Sequence, residues 1–179
     1  VSEEADRSTD ETTSDLSAAP PTPRHIWTRR AGVGLLVLIV GAAGLDLLGP
    51  RTGTTTAHGG GWTLDVRYPQ ITRDGEPAPL DLRVTTDAAF GDTVTLRLCN
   101  EWFDHLDFQA WYPSPSAETA QPGWIVYEFD APTNGDTLDV SLDARVAPGQ
   151  LGGRDGCEIS VLDHDEPAVT AGFTMWRIP

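Results

Sequence analysis

Ionisable and aromatic side chains crowd into one stretch, CNEWFDHLDFQAWY, at residues 99–112. Three chemistries suit these residue types. A Cys99 thiolate activated by His105 would be a nucleophile with its base, provided the two meet in space beside an oxyanion site. The rings of Trp102, Trp111 and Tyr112, with Asp104, Asp107 and Gln109 beside them, would make a platform for sugar rings and their hydroxyls. Exposed aromatics of this kind equally anchor protein partners. Asp104, His105 and Asp107, together with Asp163, His164, Asp165 and Glu166, offer oxygens to Ca²⁺ and imidazoles to Zn²⁺. Their spacing matches no calcium loop, because D-x-[DN]-x-[DN]-G is absent, and DHDEP reads as a solvated hairpin tip.

The structural account of the stretch is plainer. At period two, Leu106, Phe108, Ala110 and Tyr112 point one way and Asp107, Gln109 and Trp111 the other. Residues 100–104 then form a turn, and Trp102 and Phe103 cover the edge of a core. No family signature surrounds Cys99 or His105. No pair of carboxylates stands out either, since raised carboxylate pKa values need apolar burial and most acids here fall on solvent faces or in turns. The expectation is a non-enzyme with no metal and no cofactor.

The elements around this stretch alternate strictly. Trp62, Leu64, Val66 and Tyr68 are interleaved with Thr63, Asp65 and Arg67, and Leu80, Leu82, Val84 and Val94, Leu96, Leu98 repeat the pattern. Leu138, Val140, Leu142 and Ala144 do so again, and Trp124–Phe129, Cys157–Leu162 and Val169–Ile178 are further apolar runs. Alternation marks strands with one buried face. Turn signals such as DGEPAP, PTNGD and DHDEP separate them. The pattern predicts an all-β domain over residues 62–179, an antiparallel sandwich of seven or eight strands. A phosphate loop is excluded because GxxxxGK[ST] needs a Lys, and all 12 basic residues are Arg.

Charge narrows the partners. Twenty-seven acids against 12 basic residues give a net charge of -15, which repels nucleic acid, whose binding needs clustered cations. Residues 1–25 are acidic, rich in Ser and Thr and nearly devoid of large apolar side chains, so a disordered tail is expected there. The next segment, 26–49, reads as a transmembrane signal anchor. Between Ala31 and Leu48 it holds a single charge, Asp46. A helix of that length spans roughly 27 Å, against a hydrocarbon core of about 30 Å. Trp27, Arg29 and Arg30 suit the interface at its start. Residues 31–48 would then contact the lipid bilayer. The Arg excess before the span places the N-terminus in the cytoplasm and the C-terminal domain outside. A cleaved signal fits less well, because some 28 residues precede the apolar run and no A-x-A site follows it. Residues 50–61, RTGTTTAHGGG after Pro50, read as a flexible stalk.

The run GWIVYEFDAPTNGDTLDVSLDARVAPG, residues 123–149, resembles the late strands of immunoglobulin-like domains on bacterial surfaces. The layout as a whole is similar to small single-pass membrane proteins of actinobacteria. That resemblance implies an immunoglobulin-like fold and a binding or structural module. It supplies no catalytic residues. The expected role is an interaction or accessory module whose partner is an envelope or membrane protein, with binding of a cell-wall carbohydrate as the alternative. Outside the cytoplasm, Cys99 and Cys157, each at a strand end, read as a disulfide.

Overall fold

The computed structural model describes residues 23–45, 49–149 and 151–178. The acidic tail read over 1–25 lies outside them except for Pro23–His25, and so does Asp46. Two compact units divide the chain, residues 1–48 and 49–179.

Among the described residues, the first unit contains one helix, α1, Pro23–Gly44. Pro23 stands at its first turn, where a missing N–H costs nothing. From Ile26 to Gly44 the helix is long and apolar enough to cross a membrane, and its aliphatic side chains are exposed rather than packed inward. It covers Ala31–Gly44 of the stretch expected in lipid and ends five residues short of the expected boundary at 49.

Among the described residues, the second unit has ten strands: β1 (Arg51–Gly59), β2 (Trp62–Arg73), β3 (Leu80–Thr86), β4 (Thr93–Cys99), β5 (Leu106–Tyr112), β6 (Ala117–Gln121), β7 (Trp124–Asp130), β8 (Thr137–Val146), β9 (Gly153–Asp163) and β10 (Glu166–Ile178). They form a single curled, half-barrel sheet in the order β5-β8-β3-β2-β10-β9-β4-β7-β6, with β1 added to β2. Neighbours are antiparallel except β2 and β10, which run parallel over Ile71–Arg73 and Trp176–Ile178. The alternating apolar residues meet inside the curl. Leu64, Val66, Leu80, Leu82, Val84, Leu96, Leu98, Val140 and Leu142 are all buried. Burial of this face is the main force holding the unit together, at about 25 cal/mol per Å² of apolar surface.

Two strands exceed the seven or eight expected. The supposed stalk over 50–61 is β1, paired residue for residue with β2 from Thr52–Pro69 to Gly59–Trp62. Its Thr residues favour extended backbone. Gly60 and Gly61 both have positive φ, 57° and 79°, the conformation a two-residue hairpin loop demands. The other extra strand, β6, is exposed along its whole length, so it carries no apolar alternation to read. The DHDEP segment is the hairpin tip expected of it, with His164 and Asp165 at positive φ between the paired Asp163 and Glu166.

Candidate functional site

The residues first suspected of chemistry separate in space. Trp102 is 0% exposed and Trp111 3% exposed, so neither can belong to a platform for sugar rings. Trp102 packs edge-on against Phe103 and Phe173, with ring centres 5.3 and 5.5 Å away. Trp111 packs against Tyr127 at 5.0 Å and Phe129 at 5.8 Å. These contacts tie β5 to β7 and the 100–105 connection to β10 across the inside of the curl. Burial pushes the Tyr127 phenol above its ordinary range.

A bulge explains why the period-two reading of β5 misplaced Trp111. The register with β8 shifts between Phe108 and Ala110, so Gln109 is an extra residue and the facing of the strand reverses beyond it. Leu106 and Trp111 therefore both point inward, while Asp107 and Tyr112 face out. Asp107 accepts a bond from Arg145 Nε at 3.3 Å, and Asp104 is exposed in the short 3-10 turn Phe103–His105. His105 Nε2 lies 3.4 Å from Asp155, and His164 lies 2.8 Å from its neighbour Asp163. Among the described residues, no three His, Cys, Asp or Glu side chains gather as metal ligands would.

Cys99 and Cys157 lie at disulfide distance, their Cα atoms 5.5 Å apart. They staple β4 to β9, which are neighbours in the sheet. Cys99 is thus occupied, and the nucleophile reading has no thiol to use. An open hollow of about 450 Å³ beside the pair is lined by Trp124, Glu158, Phe173 and Thr174.

Of the five suspected binding residues, Tyr112 lines a sizeable recess. It is 63% exposed and stands at one end of a groove of about 660 Å³ across the outer face of β1, β2, β3 and β8. Strand register builds the groove from two rows. In one, Thr56, Asp65, Arg83 and Asp139 sit side by side; in the next, Thr54, Arg67, Asp81, Ser141 and Tyr112 do so. Members of each row bond to one another. Thr56 donates to Asp65 at 2.5 Å, Arg83 Nε to Asp139 at 2.6 Å, and Ser141 to Asp81 at 2.6 Å. Arg67 and Asp81 approach to 3.9 Å. These hydroxyls, carboxylates and guanidinium groups are the polar half of the same alternation whose apolar half forms the core. Asp65 and Arg67 were visible in the sequence as solvent-facing positions, whereas Thr54 and Thr56 fell in the supposed stalk, and only the pairing of strands brings these residues to one surface.

No protein-family model matches the chain, and no curated protein matches it. Among solved structures, it is similar to the Pseudomonas fluorescens alkylpurine DNA glycosylase AlkC bound to DNA containing an abasic site analog. The identity is 14% and the TM-score 0.33, over 92% of this chain and 41% of that one. The chain thus spans less than half the length of that protein, and the similarity is too slight to transfer fold or function.

Proposed function

We propose that the chain is a membrane-anchored, non-catalytic interaction module whose β unit lies outside the cytoplasm and presents a surface to another envelope or membrane protein. The observation that carries this reading is the pairing of an apolar helix, Ile26–Gly44, with a β unit stapled by Cys99 and Cys157. A disulfide persists in oxidising compartments, and the Arg excess ahead of the helix supports the matching orientation. The immunoglobulin-like sandwich is the architecture we propose for the curled sheet. Its aromatic contacts between β5 and β7 support that, while a staple between neighbouring strands departs from the inter-sheet bridge of antibody domains. The mutual pairing of the groove's charged and hydroxyl groups supports a role in recognition rather than in catalysis.

Protease added to intact cells tests the reading. The β unit should be cut away or recovered outside while residues before α1 stay protected. Alkylation of denatured protein should find both cysteines blocked until a reductant is added. Full protection of the β unit with two free thiols would overturn the proposal.

A second reading has one observation in its favour. Tyr112 stands beside rows of hydroxyls and carboxylates at strand spacing, a surface able to stack and bond a carbohydrate chain. Binding of cell-wall glycans that is lost in Tyr112→Ala, with the fold intact, would establish it.

A further inference from the structure

The two ends of the sheet path are unlike. At one end, β5 pairs with β8 through a ladder broken by the bulge at Gln109. At the other, β6 pairs with β7 from Ala117–Glu128 to Gln121–Trp124 without a shift of register. Every residue of β6 is exposed, and among the described residues no strand covers its far side. An open edge is a template for another strand, and proteins commonly blunt it with Pro, Lys or a bulge. The β6 sequence, AETAQ, has none of these, and its single charge is Glu118.

Backbone geometry says which groups on that edge are free. The two residues Pro122 and Gly123 join β6 to β7, and Gly123 has the positive φ, 79°, that the turn needs. With so short a loop, Gln121 and Trp124 exchange both ladder bonds, and bonded and non-bonded pairs alternate from there. The N–H and C=O groups of Ala117, Thr119 and Gln121 are therefore spent on β7. Those of Glu118 and Ala120 point outward.

A second copy of the same strand fits these groups. Two-fold-related antiparallel strands can match outward residue to outward residue about Glu118, Thr119 or Ala120. A centre at Glu118 sets two carboxylates directly opposite, which is destabilising. A centre at Ala120 sets Glu118 opposite Pro122, which has no N–H to give. A centre at Thr119 places each Glu118 opposite the other copy's Ala120, and every outward N–H and C=O of these residues finds a partner. It also brings the two Thr119 side chains together as a non-bonded pair, where threonine hydroxyls bond one another. We propose that the chain self-associates as a two-fold dimer by antiparallel pairing of β6 with β6 of a second copy, centred on Thr119. This goes beyond the role proposed above and does not depend on it.

The test uses the full chain in mild detergent at about 0.15 M salt, where repulsion between two acidic chains is screened beyond about 8 Å. Thr119→Cys, oxidised with copper phenanthroline, should give a reductant-sensitive dimer, because Cα atoms of a non-bonded pair lie about 4.5 Å apart, within disulfide range. Ala117→Cys should link roughly tenfold less, since its copies stand about 13 Å apart along the strands. A mixture of Ala117→Cys and Gln121→Cys chains should link readily. Ala120→Pro removes an outward N–H and no bond to β7, so sedimentation should find it monomeric with the β-sheet spectrum intact. If that spectrum is lost, the cysteine comparison decides alone. A native chain that stays monomeric at every concentration would overturn the pairing. So would equal linking through Ala117→Cys and Thr119→Cys, or a dimer that folded Ala120→Pro leaves unchanged.

Discussion

The inner and outer faces of β8 and its neighbours come from the same strands and behave as two different materials. Inside, Trp102, Trp111, Tyr127, Phe129 and Phe173 are buried against one another. Outside, Asp65, Arg83, Asp139, Asp81 and Ser141 pair in rows that remain half in solvent. One face fixes the fold through close packing, which tolerates little change. The other makes bonds that solvent screens, so its residues are free to be chosen for recognition.

That contrast yields an ordered set of expectations. Trp102→Ala or Trp111→Ala should cost about 3–5 kcal/mol, through lost burial and the cavity left behind, read as a lower midpoint in chemical denaturation. Cys99→Ser with Cys157→Ser should cost up to about 4 kcal/mol for a 58-residue separation. Reductant should weaken the native chain by a similar amount and leave the double variant unaffected.

Gly53→Ala probes a close approach on the inner side of β1. A Cβ there would lie 2.6 Å from the Tyr68 ring, and that ring stacks on Phe173 at 4.8 Å. Overpacking of this kind should cost about 1–3 kcal/mol, and Gly53→Ala/Tyr68→Leu should recover part of it. Tyr127 gives a pH signature. Its phenol titrates higher in the folded chain than in the unfolded one. Its contribution is therefore complete below about pH 10 and declines as pH climbs toward the folded value. Tyr127→Phe should flatten that alkaline decline in a stability–pH series.

The smallest effect belongs to the outer face. Coupling between Arg83 and Asp139, measured by a double-mutant cycle, should be close to nil in physiological salt, because solvent and ions screen an exposed pair, although the bond is 2.6 Å long. A coupling as large as the Trp102 effect would erase the distinction between the faces.

Much of the inner face was legible in the sequence because apolar alternation states which residues turn inward, as Leu80, Leu82 and Val84 do. What escaped has definite causes. Strand β1 presents Thr and Gly where a core strand shows Leu and Val, so its pairing depends on β2 and on the Gly60–Gly61 turn. Trp111 was misread because a bulge at Gln109 breaks the period, and bulges leave no compositional mark on a strand this short. The aromatic crowding at 99–112 signalled core rather than chemistry, since large rings contribute the most buried area. The groove could not be located from the chain alone, because Thr56, Asp65, Arg83 and Asp139 become neighbours only through strand order.

The hairpin of β1 and β2 has a mechanical consequence. Tension applied at Arg51 and resisted at the far turns of the unit runs along β1, parallel to its axis. The hydrogen bonds between Thr52–Gly59 and their partners on β2 are then strained in shear and must yield collectively. A tug on the leading strand is shared by the whole ladder instead of opening it like a zip.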